Sequence, residues 1–203
     1  MDEVGYGALA GPLVAVAVAA DVDVAFDELR RWWPLPGVRD SKKTTPAQRA
    51  RVVPAILRYL VANGGSVGLG SVSPAEIDDL GYSRALERAK VLAVAAVIED
   101  APLGLLVVDG SVGLPPARVS HVPQRVVPRA DADYWVVAAA SMIAKQYRDQ
   151  IMEELDREWP QYAWCKNMGY TGGSKAGSTH VAALRAHGLS PHHRRIACQT
   201  VLS

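Results

Sequence analysis

Only two cysteines, Cys165 and Cys198, occur among the 203 residues. Two thiols cannot build the disulfide framework of a small secreted scaffold, nor a four-thiolate zinc site. They read as free thiols in a reducing compartment. An excess of charge of one sign is also missing, since the formal net charge is +1. A nucleic-acid partner would therefore need a local basic patch and not a whole-molecule field. No apolar run is long enough to span a membrane. Ala8 to Ala20 is apolar but is interrupted by Gly11-Pro12, and it falls short of the roughly 20 residues a spanning helix needs. The acidic opening Met1-Asp2-Glu3 lacks the Lys or Arg that begins a secretory signal. A soluble, cytoplasmic protein is expected. Cofactor fingerprints are absent as well. The glycines flanking Tyr6 do not have dinucleotide-binding spacing, and there is neither a Gly-Lys-Ser/Thr phosphate loop nor a His-Glu-x-x-His zinc motif. His192-His193 stand beside Arg194-Arg195, which disfavours a bound cation there. No internal repeat or low-complexity segment is visible.

What is present suits one packed domain with a small C-terminal appendage. Hydrophobic residues make up 49% and charged residues 21%, ample for a core at this length. Leu13 to Ala20 is rich in β-branched residues and reads as a strand. The glycines before it suggest a tight turn from a first short strand carrying Asp2 and Glu3, which makes an opening hairpin. Thr45-Pro46 predicts a helix start, with Thr as N-cap and Pro at the first position. Ser66 to Val72 reads as a strand, and Ser73-Pro74-Ala75-Glu76 as a second cap. Ser83 to about Glu99 predicts an amphipathic helix. Leu103 to Val108 predicts a central strand, and Arg125 to Pro128 an edge strand because it contains a proline. The longest helix is predicted over Asp133 to Trp159, and a last helix over His180 to His187. Gly169 to Thr179, rich in Gly, Ser and Thr, is expected to be mobile. Strands come first and then alternate with helices, the pattern of a mixed-sheet α/β domain.

Four carboxylates fall at the ends of apolar segments: Asp2, Glu3, Asp109 and Asp131. Hard divalent cations prefer carboxylate oxygens, and Mg²⁺ keeps waters and bridges to phosphate. Two such ions about 3.5–4 Å apart can clamp both the attacking and the leaving oxygen of a phosphodiester. That arrangement needs three or four convergent acids. Taken singly, each acid reads equally well as a solvated turn residue, and Asp109-Gly110 is an ordinary turn signal. The constellation carries the signal. Adjacent strand residues point to opposite faces. Asp2 and Glu3 therefore cannot both aim inward from a regular strand, and one should sit where the glycine turn can re-aim it.

The motifs line up, in order, with those of a known family. Asp2-Glu3-Val4-Gly5-Tyr6-Gly7, followed by Leu9-Ala10-Gly11-Pro12, resembles the N-terminal signature of ribonuclease HII. Asp40-Ser41-Lys42-Lys43 resembles its second motif and Val108-Asp109-Gly110 its third. Asp131, with Ala138-Ala139-Ala140-Ser141-Met142-Ile143-Ala144-Lys145 and Arg148-Asp149, is similar to the fourth. Gly169-Tyr170 and Ser190-Pro191-His192-His193-Arg194-Arg195 resemble the C-terminal part. The resemblance implies a ribonuclease H-like, mixed five-stranded sheet flanked by helices, with a small helical C-terminal extension. It implies a catalytic domain over residues 1–160 and a C-terminal substrate-binding segment over 161–203. It implies a monomer that cleaves RNA in RNA–DNA hybrids, or incises 5′ to a single ribonucleotide embedded in duplex DNA. Mg²⁺ or Mn²⁺ would serve as cofactor, through a two-metal mechanism.

By position, Asp2, Glu3, Asp109 and Asp131 would be the catalytic metal-binding acids, with Asp2 as the bridging ligand. Gly5 and Gly7 would offer backbone to the ribose 2′-OH. Tyr170 would stack on the sugar beside the scissile bond. Lys42 and Arg194 would contact phosphates.

The chain departs from the family pattern at several substrate-facing positions. Tyr6 stands where the family has Arg between the two glycines, so a charge-assisted phosphate contact is lost. Tyr6 can still stack or use its hydroxyl. Asp133-Tyr134 replaces a Lys-Ser pair after Asp131. Asp133 reads as a helix N-cap, with an extra metal ligand as the other reading. Asn167-Met168 replaces His-Lys before Gly169, and the loop from Thr171 to Thr179 is longer than usual. Relatives carry several apolar residues before the first Asp, so either the leading strand is abnormally short or the start lies upstream. These departures trim positive charge and keep the acids. A nuclease of altered substrate preference or modest activity is expected. The competing readings are a catalytically weak or inactive nucleic-acid-binding module and a nuclease restricted to longer hybrids.

Overall fold

The computed structural model describes residues 1–22, 26–38, 41–100, 102–171 and 179–202. A first short strand, β1 (Asp2–Val4), turns back into β2 (Leu13–Ala19), and β2 pairs with β3 (Ser66–Val72), all antiparallel. Asp2 lies opposite Val16 in this register. β4 (Leu106–Asp109) and β5 (Gln124–Val127) form a parallel pair. Met1 joins the two pieces. Its amino nitrogen donates to Val107 O at 2.8 Å, and its carbonyl accepts from Asp109 N at 3.1 Å. The five strands thus run in the order β3-β2-β1-β4-β5, with Asp2 and Asp109 on neighbouring strands.

Helix α1 (Pro46–Ala62) lies between β2 and β3 in sequence, and α2 (Pro74–Leu80) and α3 (Tyr82–Asp100) between β3 and β4. The long α4 (Trp135–Glu158) follows β5, and α5 (Trp164–Asn167), α6 (Thr179–His187) and α7 (Arg195–Leu202) complete the chain. Both predicted capping boxes form, Thr45 with Gln48 and Ser73 with Glu76. Each satisfies two otherwise unpaired backbone or side-chain donors at a helix start.

β2 sorts its side chains by strand periodicity. Leu13, Ala15 and Ala17 face α3, packing with Ala85, Ala89 and Ala93. Val14 and Val16 face the other way, against Ile56 and Leu60 of α1 and Ala138 to Ala140 of α4. A Cβ on Gly68 or Gly70 of β3 would collide with the carbonyls of Ala93 and Ala89. Glycine there lets α3 lie in backbone contact with the sheet.

The predicted central strand begins at Leu106 and not Leu103, and the edge strand stops at Val127, before Pro128. α5 and α7 are additions to the predicted elements. α5 spans only four residues, too few to leave a periodic signal. The C-terminal helices pack on the domain through Leu9, Ala10, Met152, Tyr162, Trp164, Leu184 and Cys198. Most of the loop predicted to be mobile, residues 172–178, lies outside the described residues. Both cysteines are free thiols, Cys165 exposed and Cys198 buried. Among the described residues, no helix is long and apolar enough to cross a membrane.

Candidate active site

The acidic pair of β1 divides between the two faces of the sheet, as strand geometry requires. Asp2 is 8% exposed and turned toward α4. It accepts a hydrogen bond from Glu3 N at 2.7 Å and shares another with Ser141. The Ser141 hydroxyl is in turn 2.9 Å from that of Ser41. A continuous polar chain therefore links Asp2 to the Ser41-Lys42-Lys43 turn. Burial pushes the Asp2 carboxyl up to about 6, and the charges of Glu3 and Asp109 add to the shift. The Ser141 and Glu3 hydrogen bonds oppose it. Glu3 points the other way, and its Oε2 lies 2.8 Å from Lys90 Nζ of α3. That contact is an ion pair without hydrogen-bond geometry, so Glu3 Oε2 stays buried without a hydrogen-bond partner. Lys90 is 6% exposed and also donates to Asp109 O at 3.4 Å.

Asp109 ends β4, and its Oδ1 accepts from Ala130 N at 2.6 Å. This bond ties the 3₁₀ turn Ala130–Ala132, and with it the buried Asp131, to the strand end. Arg129, at a left-handed φ of 58°, makes the bend from β5 into that turn.

The fold thus brings Asp2, Asp109 and the Asp131 turn to neighbouring strand ends, with Glu3 on the opposite face of β1 from Asp2, and the side chains of Asp2, Glu3 and Asp109 turn to protein donors. Asp2 engages Ser141, Glu3 engages Lys90, and Asp109 engages the Ala130 amide. Among the described residues, no three His, Cys, Asp or Glu side chains are gathered into a ready-made metal cluster. The donor set is nevertheless all oxygen, as Mg²⁺ and Mn²⁺ require. One buried carboxylate oxygen, Glu3 Oε2, has only an ammonium to balance it. The oxygen donor set and the orphaned Glu3 Oε2 suit a hard divalent cation.

Beside the acids, the loop from Gly5 to Pro12 is held by two buried arginines that the sequence reading did not weigh as scaffold. Arg148 of α4 donates to the carbonyls of Pro12, Met168 and Ala10 at 3.0, 2.8 and 2.9 Å. Arg194 donates to the carbonyls of Gly5, Tyr6 and Gly11 at 2.6 to 3.0 Å. Both are fully buried. Arg194 was expected to meet a phosphate. In this structure its guanidinium is buried and donates to backbone carbonyls beneath the loop.

Gly5 has φ +90°, and a Cβ there would sit 2.5 Å from Arg148 Nε and 2.7 Å from Pro12 O. Gly7 has open space around it. Tyr6 is 46% exposed at the loop tip, its ring 5.4 Å from that of Tyr82.

Tyr170 lies half-buried beside this loop, its ring 5.1 Å from the Arg148 guanidinium. Its carbonyl accepts from His180 Nδ1 at 3.0 Å. That bond fixes the His180 tautomer. His180 Nε2 then accepts from Trp164 Nε1 at 3.1 Å and faces His193 Nε2 at 3.0 Å. His193 Nδ1 accepts from Ser190 N at 2.9 Å. The network is complete only with both imidazoles neutral. Burial drives the His193 ring down to about 4, with His180 adding to the effect.

Lys42 is exposed on the turn Ser41–Lys43, while Asp40 of the same motif lies outside the described residues. Arg49 anchors this turn by donating to Thr44 O at 2.8 Å and pairing with Asp149 at 2.7 Å. Lys145 joins the same carboxylate. Asp133 corrects its expectation. The N-cap of α4 is Tyr134, without a side-chain cap bond, and Asp133 pairs with Arg30 at 3.4 Å. It is half-exposed and draws toward that cation, away from the helix start.

Lys90 and His180 are not singled out in the sequence, and Ser141, Arg148 and His193 stand there only as members of motifs, without these contacts. Arg148 had a readable signal, since Ala144 and Met152, one turn either side on α4, are both buried. Lys90 had the same signal beside Ala89 and Ala93 of α3.

Comparison with known proteins agrees in fold and motif order. A family profile described as Ribonuclease HII matches residues 1–196. The chain is 40% identical over 195 residues to a protein named ribonuclease HII from Geobacillus thermodenitrificans, covering 96% of this chain and 66% of that one. It is 39% identical over 196 residues to ribonuclease HII of Magnetococcus marinus, covering 96% of this chain and 81% of the relative. Among solved structures, ribonuclease H2 from Pyrococcus horikoshii superposes with a TM-score of 0.72 at 25% identity, over 98% of this chain and 94% of that one.

Proposed function

The chain belongs to the ribonuclease HII family, the type 2 ribonucleases H, and from that membership we propose that it is a metal-dependent endonuclease acting on ribonucleotides in duplexes. The substrate is an RNA–DNA hybrid or a single ribonucleotide embedded in DNA, cut on its 5′ side. Water adds to the phosphorus and the bond to the 3′ oxygen breaks, leaving 3′-hydroxyl and 5′-phosphate ends. What supports this reading most is the family match over residues 1–196, together with Asp2 and Asp109 on neighbouring strands and the Asp131 turn tied to Asp109 through the Ala130 amide.

Mg²⁺ or Mn²⁺ held by Asp2, Glu3, Asp109 and Asp131 would supply a polarised water and a counter-charge for the phosphate. The chain's own residues do the rest. Ser141 and the Glu3 amide hold the Asp2 carboxylate in one orientation. The Ala130 amide does the same for Asp109. Arg194 holds the Gly5 and Tyr6 carbonyls from below and Arg148 those of Ala10 and Pro12, so the loop can meet a ribose 2′-OH without reorganising. Tyr170, backed by Arg148, offers a ring face to the neighbouring sugar. Lys42 offers charge to a phosphate.

Exposed Tyr6, paired with Tyr82 where relatives carry Arg, favours a weakened preference for single junctions over longer hybrids. Incision of a duplex with one embedded ribonucleotide, compared with a continuous RNA–DNA hybrid in Mg²⁺ and in Mn²⁺, tests both points. Cleavage of either substrate supports the nuclease, and the ratio of the two rates measures junction preference. Absence of incision of both by folded protein contradicts the proposal.

A further inference from the structure

We infer that Lys90 is a built-in counter-cation of the carboxylate site, one that competes with a divalent ion for Glu3 and sets how tightly the site holds metal. The inference rests on the proposed metal role of Glu3 and adds a residue that none of the four sequence motifs contains. α3 is pressed onto the sheet, with Ala89 and Ala93 against Gly70 and Gly68. Lys90 is 6% exposed and, among the described residues, the only charged side chain buried on that helix. Burying an ammonium is costly unless an opposite charge meets it. Glu3 Oε2 at 2.8 Å and the Asp109 carbonyl at 3.4 Å supply that compensation.

The same contact conflicts with a metal. A divalent ion binds a carboxylate oxygen at about 2.0–2.2 Å. The oxygen that faces Lys90 is Glu3 Oε2, the one that lacks a hydrogen-bond partner. An ion on that oxygen would lie against the ammonium, and two cations at such spacing repel strongly in a partly buried site. Metal entry must therefore either displace Lys90 or use the other oxygen of Glu3. Either route weakens binding compared with the same acids without a lysine. Lys90 acts through Glu3, so it is a positioning residue and not a catalytic one.

The test is Mn²⁺ titration by calorimetry, at fixed pH and ionic strength, on full-length metal-free protein. Wild type is compared with Lys90→Met, Lys90→Gln, Lys90→Arg and Asp109→Asn, with folding checked by circular dichroism. Lys90→Met should bind Mn²⁺ about tenfold more tightly, the scale of one like charge removed from a partly screened site. Lys90→Gln should do the same if the apolar variant fails to fold. Lys90→Arg, which keeps the charge, should stay near wild type, and Asp109→Asn should bind more weakly. A purely structural lysine would lower melting temperature in its variants without tightening Mn²⁺ binding. Unchanged or weaker affinity in folded Lys90→Met and Lys90→Gln, with wild type still binding Mn²⁺, overturns the role of Lys90 alone. No Mn²⁺ binding by any of the proteins overturns the metal reading beneath it.

Discussion

Asp2 is a buried carboxyl whose neutral form the metal-free fold prefers, with a pKa of about 6 against 3.8 for the free side chain. Ionising Asp2 costs more in the folded than in the unfolded chain. The Asp2 contribution to metal-free stability is therefore greatest below about pH 4, falls as pH rises toward 6, and levels off above. The amplitude is about 2–3 kcal/mol at most. Urea unfolding of the metal-free protein from pH 4 to pH 7 checks this, and Asp2→Asn should flatten that part of the profile. Saturating Mn²⁺ should reverse the trend, because the cation binds only the ionised carboxylate. Asp109 has a different character. It accepts a hydrogen bond from the Ala130 amide, and an amide in its place can keep an acceptor oxygen there. Asp109→Asn should thus fold normally yet lower incision about a thousandfold, the loss of several kcal/mol of metal stabilisation. Near-wild-type turnover in a well-folded Asp109→Asn protein would exclude its metal role.

The loop from Gly5 to Pro12 and the C-terminal segment form one structural unit. The Leu9 and Ala10 amides both donate to Gly169 O, Gly11 N donates to His192 O, and Arg194 N donates to Leu9 O. Arg148→Met would leave three buried carbonyls without donors, at a cost of about 3 kcal/mol or more. It should lower the melting temperature and incision together, whereas Lys42→Ala should spare the melting temperature. The His180–His193 pair locks the same unit from behind. His193 titrates at about 4 in the fold against 6.5 for the free ring. Its contribution is thus full above about pH 6.5 and is lost as pH falls toward 4, opposite in sign to that of Asp2. Fluorescence of Trp164, which donates to His180, should change over that window, and His193→Gln should move or remove the transition.

Much of this architecture was legible in the sequence. Helix starts at Thr45 and Ser73 follow from local capping chemistry, and β2 from its run of β-branched residues. The arginine staples were not, because Arg148 finds its acceptors 136 and 138 residues away. Spacing along a chain carries no trace of such contacts. The side-chain directions at the acids were half legible. Strand alternation separates Asp2 from Glu3, but only the packing of α3 shows that Lys90 answers Glu3.

Across the whole molecule, the net charge of +1 leaves no general attraction to a duplex, so affinity must come from a few local contacts. Arg148 and Arg194 are buried and bound to backbone carbonyls in this structure. Duplex binding should accordingly depend weakly on salt. Lys42→Ala should reduce the slope of log affinity against log salt by about one, the value for one phosphate contact. The chain is a type 2 ribonuclease H by family, and the chemistry proposed for it needs a divalent ion. The most direct measurement is incision of a DNA duplex containing one ribonucleotide, with Mg²⁺, with Mn²⁺ and with chelator. The account predicts a cut on the 5′ side of the ribonucleotide with either metal and none with chelator. Incision that persists in chelator, or no incision under either metal by folded protein, would contradict it.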